Sequence, residues 1–276
     1  MDRWPLNLPL VHFSRLRADT WTLADACQGV LIQGENGSGK TTGSGQIFAK
    51  KYLGNGFGGL VLCFKTDEAD LWREYLKRAG REGDGRFFGV DTRHRFNFLD
   101  WEARTSGVDF AENLVNLLVD IASIQKRTEA TGAEAHFWLP QKKKLLRNAI
   151  SLLLLAEEPV QLRALYDMIV ASPKTADEVS TAKWQEGSCL FDLLERAEEK
   201  AQKSAEWELI KRYWLVERPT IPSKTRETID ADFTGMFDPL TRGKIGELFG
   251  TDTNLTPSDI FDGKIVVIDI RQFRQV

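Results

Sequence analysis

The segment Gly34-Glu35-Asn36-Gly37-Ser38-Gly39-Lys40-Thr41 satisfies the spacing G-x-x-x-x-G-K-[ST], a pattern suited to wrapping a triphosphate in backbone. Gly34, Gly37 and Gly39 lack the Cβ that would block close approach, and the amides from Gly37 to Thr41 are expected to point inward as an anion nest at a helix N-terminus. Lys40 is placed to reach the β- and γ-phosphates, the Thr41 hydroxyl to ligate Mg²⁺, and Thr42 to bond the α-phosphate. Glu35, Asn36 and Ser38 complete the expected nucleotide-binding stretch, so ATP and Mg²⁺ are the expected ligands.

Other residues carry weaker signals. Lys264-Ile-Val-Val-Ile-Asp269 has the form of a Walker B segment, an apolar strand ending in an aspartate that would hold the Mg²⁺ hydration shell. Ile270 and Arg271 follow, so no glutamate stands beside Asp269, which also reads as an ordinary strand-end aspartate. Lys65, Asp67 and Glu68 close another apolar run, at the sheet edge where ligands of open α/β folds gather, or form a solvated loop. Lys142, Lys143, Lys144 and Arg147 make a basic stripe on one helix face, either a DNA-backbone track or a wet surface. Arg226, at the start of an expected helix, has the position of an arginine finger or of an ordinary surface arginine. His12, His94 and His136 stand apart from one another and are assigned no chemistry.

These residues need elements to hold them. Trp21 and Leu23 alternate with Thr20 and Thr22 as in an edge strand, and residues 29–33, Gly-Val-Leu-Ile-Gln, read as a buried strand running into the glycine-rich turn. A helix is expected from Thr41 to Tyr52, then a strand at 60–64, a helix carrying Leu71, Trp72, Tyr75 and Leu76, and a third strand at 86–90. This order predicts a parallel sheet joined by right-handed crossovers. Beyond Asp100 the texture turns helical. Phe110, Leu114, Leu117, Leu118 and Ile121 mark one amphipathic helix, and Leu145, Leu146, Ala149, Ile150, Leu153 and Leu154 another. Phe191, Leu194 and Ala201, then Leu209, Ile210, Tyr213 and Trp214, mark two more, with residues 172–188 as a loop. The strand at 264–269 restores the α/β texture. The expected division is therefore 1–106 for the first part of an α/β core, 107–222 for an all-α insertion, and 223–276 for the return to the core.

Composition sets the outer limits. The chain has 276 residues, 42% hydrophobic and 28% charged, which is ordinary globular usage and excludes fibrous and disordered readings. A net charge of −3 gives no global pull toward nucleic acid or anionic lipid, so DNA contact would need a local basic surface. Cys27, Cys63 and Cys189 are scattered, fit neither a disulfide framework nor a zinc site, and read as three half-buried small hydrophobes. No apolar run approaches the roughly 20 residues of a membrane helix, and no signal peptide is evident. The expectation is a cytoplasmic chain.

Together, Trp21-Thr-Leu, Gly34 to Thr42, residues 58–65 (Gly-Gly-Leu-Val-Leu-Cys-Phe-Lys), Phe96-Asn-Phe-Leu99, His136-Phe-Trp138, Glu247-Leu-Phe-Gly-Thr251 and Asp262 to Asp269 resemble the HerA/FtsK superfamily of P-loop ATPases. The resemblance is nearest to the conjugative coupling ATPases of the TraG/TraD kind found with type IV secretion. It implies a RecA-like motor core carrying an all-α insertion, a hexameric ring, and DNA moved through its centre by ATP hydrolysis; Lys40 and, from the strand pattern, Asp269 are the candidate catalytic residues. Two departures stand out. Membrane-anchored coupling proteins carry N-terminal transmembrane helices, and this chain has none. The family's Walker B Asp-Glu pair falls beyond the strand ending at Asp269, so the chain reads as C-terminally truncated. The alternative from another class is a non-catalytic module that uses ATP as a conformational ligand. A small-molecule kinase is disfavoured, because the Trp- and Leu-rich helical region has the composition of packing surface.

Overall fold

The computed structural model describes residues 4–15, 19–105, 110–125, 133–201 and 204–274. The chain divides into one unit of Met1–His94 with Leu255–Val276 and another of Arg95–Asn254.

In the first unit, β1 (Pro9–His12) and β2 (Thr20–Thr22) pair antiparallel, so the alternation around Trp21 does make a strand. The one-turn α1 (Leu23–Ala26) follows, started by a capping box. The Thr22 hydroxyl accepts the Asp25 N–H, and the Asp25 carboxylate accepts the Thr22 N–H at 2.7 Å.

The strand expected at 29–33 does not form. Gly29 takes a left-handed φ of +89°, and Val30 and Leu31 are 47% and 80% exposed. Apolar composition makes a strand only where neighbouring strands and covering faces receive it. Among the described residues no strand pairs with this run.

Thr41–Gly45 winds as a single π turn, closed by the Gly45 N–H on the Lys40 carbonyl at 2.8 Å, and continues into α2 (Gln46–Gly54). Then come β3 (Gly59–Cys63), α3 (Glu68–Arg78) and β4 (Gly85–Phe88), with β5 (Ile265–Asp269) arriving from the far end of the chain. The sheet order is β3-β5-β4 and both pairings are parallel. This is a mixed α/β arrangement with helices against a parallel three-stranded sheet. Cys63, Ile265 and Val267 pack on Ala49, Leu53, Tyr75 and Leu76 to form the unit's core.

Two contacts secure the amino-terminal edge of this sheet. A Cβ on Gly58 would sit 1.9 Å from the Ile260 carbonyl oxygen, so the chain enters β3 at a distance only glycine allows. Arg81 donates to the Leu53 and Phe57 carbonyls at 3.0 and 2.9 Å and to the Gly263 carbonyl, and pairs with Asp84 at 2.9 Å. Asp84 also takes Lys264 at 2.7 Å, and these bonds hold its carboxyl below the usual range.

The second unit is helical: α4 (Phe98–Thr105), α5 (Phe110–Gln125), α6 (Ala133–Leu155), α7 (Leu162–Val170), α8 (Ala182–Gly187), α9 (Cys189–Ala201), α10 (Ala205–Arg212), the one-turn α11 (Arg218–Thr220), α12 (Ser223–Thr241) and α13 (Gly243–Phe249). Leu114, Leu118, Leu145, Leu146, Ala149, Ile150 and Leu153 are buried, as their spacing requires, whereas Leu117 is 40% exposed. The side chains of Phe110 and Ile121 lie outside the described ones.

Two expectations are corrected here. Residues 172–188 are not one loop, because α8 lies within them. The Thr181 hydroxyl caps it, and Trp184 buries its ring and donates to the Ala171 carbonyl at 2.8 Å. A polar surface hid a helix anchored by one aromatic. The helical unit also runs from 95 to 254 rather than 107 to 222, since Leu99 of α4 and Ile229, Phe233 and Phe237 of α12 belong to the helical core. Within that core Arg218 is wholly buried, paired with Asp230 at 2.6 Å and bonded to the Ser172 hydroxyl at 3.1 Å.

Candidate functional site

The glycine-rich segment lies on the surface ahead of the π turn and α2. Gly37 and Gly39 both have φ of +80°, the left-handed conformation that glycine adopts freely, and Lys40 returns to the right-handed region at φ −50°, ψ −47°. Alternation of this kind turns successive amides to one side. The Ser38 N–H bonds the Glu35 carbonyl at 3.2 Å, while the amides of Gly37, Gly39 and Lys40 take no bond among the described residues. They are free donors at the N-terminal end of a helix, where the dipole favours an anion. Gly34, Glu35, Asn36, Gly37, Ser38, Thr41 and Thr42 are exposed; Gly39 and Lys40 are half-buried. The Lys40 ammonium lies along the loop, donating to the Gly34 and Glu35 carbonyls at 2.5 and 2.6 Å.

The remaining predicted residues distribute unevenly around this loop. Glu68, half-buried at the start of α3, accepts the Phe64 and Lys65 N–H groups on Oε2 at 2.9 and 3.2 Å. It shares a cavity wall with Thr41, so sheet edge and phosphate segment meet there. Lys65 and Asp67 are exposed. Asp269 is buried at the end of β5, where Oδ2 takes the Gln272 amide at 3.0 Å and Arg271 at 3.5 Å, while Oδ1 is buried without a partner. Cys63 ends β3 beside these acids. Burial first, then the Glu68 and Asp269 charges, push its thiol up to about 11. The expectation of three half-buried cysteines holds for none of them: Cys63 is buried, and Cys27 and Cys189 are exposed.

The basic stripe is already engaged. Lys142 pairs with Asp232 at 2.5 Å, Lys144 with Glu217 at 2.6 Å, Arg147 with Glu112, and Lys143 donates to Asn116 at 2.8 Å. Lys144 holds the Glu217 carboxyl below its usual value. Arg226 is 6% exposed, with its guanidinium 3.5 Å from the Ile221 carbonyl, so it is a buried residue of the helical unit rather than a projecting finger. His12 bonds Thr20 at 2.8 Å and His94 bonds the Phe87 carbonyl at 2.7 Å; the His136 side chain lies outside the described ones.

The fit to Mg²⁺ rests on oxygen donors. Among the described residues no group of three or more His, Cys, Asp or Glu side chains is arranged for a metal. A nucleotide-borne Mg²⁺ does not need one, because phosphates and waters fill most of its octahedron and a hydroxyl with one carboxylate completes it. Thr41 and Glu68 are of those types. A larger recess of about 590 Å³, walled by Phe48, Tyr52, Phe57, Leu60 and Leu62, is apolar and includes no residue of 34–42.

Sequence reasoning missed Tyr75, which it read as one more apolar position of a helix. Its ring does pack in the core, and only the structure places its hydroxyl without a partner. No described helix is long and apolar enough to cross a membrane. No protein-family model, curated protein or solved structure matches the chain.

Proposed function

We propose that the chain is an ATP-binding P-loop module whose Gly34–Thr42 segment cradles the triphosphate, within a motor ATPase of the DNA-translocase, coupling type. The observation that carries the reading is the set of amides at Gly37, Gly39 and Lys40 that take no bond among the described residues, at two left-handed glycines and the residue after them, at the head of a helix. On binding, the Lys40 ammonium exchanges the Gly34 and Glu35 carbonyls for β- and γ-phosphate oxygens, a short movement of a flexible side chain. Mg²⁺, when bound, neutralises phosphate charge, with the Thr41 hydroxyl as its protein ligand. Catalysis of β–γ cleavage in such a site is positioning and charge stabilisation by loop amides and Lys40. The RecA-like core, hexameric ring and DNA substrate rest on the family resemblance alone.

A second reading, nucleotide as a conformational ligand without turnover, is favoured by one observation. Asp269 Oδ2 is engaged by Gln272 and Arg271, and the next residue is Ile270 rather than a glutamate.

Thermal unfolding with Mg-ATP, Mg-ADP or AMP tests the common part of both readings. At ligand concentrations about 100-fold above Kd the folded state gains about 2.7 kcal/mol, so ATP is expected to raise Tm by several degrees and AMP to leave it unchanged. Equal Tm with and without ATP at millimolar concentration contradicts the assignment. Phosphate release in the same samples separates hydrolysis from binding alone.

A further inference from the structure

A cavity of about 150 Å³ adjoins the phosphate segment, with Thr41, Val61, Cys63, Glu68, Trp72 and Tyr75 in its wall. That is room for several waters, provided polar groups receive them. Two residues of the wall carry such groups, Thr41 with its hydroxyl and Glu68 with its carboxylate. Tyr75 is 3% exposed and its Oη, sealed from water and without a hydrogen-bond partner, closes the wall without receiving the waters. Glu68 is anchored through Oε2 by two backbone amides, and Oε1 takes no bond among the described residues.

We propose that Glu68 is the carboxylate on the Mg²⁺ side of the nucleotide site, holding the ion's water shell across this cavity. The inference rests on the reading of Gly34–Thr42 as a triphosphate cradle. It moves the acidic role from Asp269, the residue that sequence pattern favours, to the start of α3. Asp269 has Oδ2 engaged by Gln272 and Arg271 and Oδ1 buried without a partner, and it does not line the cavity. Glu68 lies in the same wall as the hydroxyl expected to ligate the metal. Mg²⁺ dehydrates reluctantly, so contact through water from a fixed carboxylate is the mode this geometry suits.

The test is a Mg²⁺ titration of the full chain with a fluorescent, non-hydrolysable ATP analogue, read as analogue binding. Removing an outer-shell partner of a bound metal typically weakens its affinity 10- to 100-fold, so Glu68→Gln is expected to raise the half-saturating Mg²⁺ concentration at least ~10-fold and to leave Mg²⁺-free analogue affinity within ~2-fold. Tyr75→Phe and Asp269→Asn are expected to leave the Mg²⁺ dependence unchanged. Where Glu68→Gln melts below the assay temperature, Glu68→Asp, with its charge retracted by one methylene, must show the same weakening. A parent chain that binds the analogue, with Glu68 variants that keep its Mg²⁺ dependence, overturns this inference and leaves the cradle standing. A parent chain that does not bind the analogue overturns both.

Discussion

Lys40 and His94 show how little a residue's type reveals until its partners are known. Both stood out in the sequence, one for its spacing and one for its isolation. Lys40 is held by two carbonyls of its own loop, Gly34 and Glu35. His94 proves to be a buried structural group bonded to the Phe87 carbonyl. Burial drives its imidazole below the usual value, the Arg93 and Arg86 charges add to this, and the Phe87 bond and Asp259 oppose it. Lowered in the folded state, the group favours folding while neutral. Its contribution is complete above the unfolded value of about 6.5 and is lost as pH falls through the depressed folded value. Tm of the parent should therefore fall between pH 7 and pH 5 more steeply than that of His94→Gln, measured by thermal unfolding in matched buffers. Parallel Tm curves for the two proteins would show that His94 titrates the same way folded and unfolded.

At the scale of elements, packing partners decide which apolar runs become strands. Residues 60–64, 86–90 and 264–269 were legible because each is short and apolar, and each finds a parallel neighbour in the β3-β5-β4 sheet. Residues 29–33 carry the same pattern and stay irregular, with Leu31 80% exposed, because no strand among the described residues receives them. Composition alone does not distinguish the two outcomes. The left-handed glycines Gly37 and Gly39 were legible because a spaced backbone requirement is local, whereas the Glu68–Thr41 wall was not, since it joins two segments that only the fold brings together. Trp184 hid α8 for a similar reason: its burial depends on Ala171, thirteen positions earlier. Gly58 gives this scale its sharpest test. A methyl there would meet the Ile260 carbonyl at 1.9 Å, backbone against backbone, so strand and turn must separate. Overpacking of this kind costs about 1–3 kcal/mol or more, and Gly58→Ala should lower the denaturant midpoint of the first unit accordingly. An unchanged midpoint in urea would mean that the entry to β3 yields without cost.

The whole chain combines a sheet-bearing unit with a larger helical one, and its charge distribution bears on what it can bind. Three cations of the basic stripe are neutralised by Asp232, Glu217 and Glu112, which leaves Lys143, bonded to Asn116, without an acidic partner among the described residues. Counterion release from this face would then give a salt slope near −0.9 for duplex DNA, well short of the ~−3.6 expected of four independent phosphate contacts. The stripe is a weak basis for a DNA track, and the functional account rests on the nucleotide. Its central claim is that Lys40 and the amides around it hold a triphosphate. Equilibrium dialysis of ATP with Mg²⁺ against the parent chain and Lys40→Ala tests this most directly. Loss of one charge-assisted contact worth about 1.5–3 kcal/mol predicts an affinity lower by roughly 10- to 150-fold in the variant. Equal affinity of the two proteins, or no binding by the parent, would contradict the account.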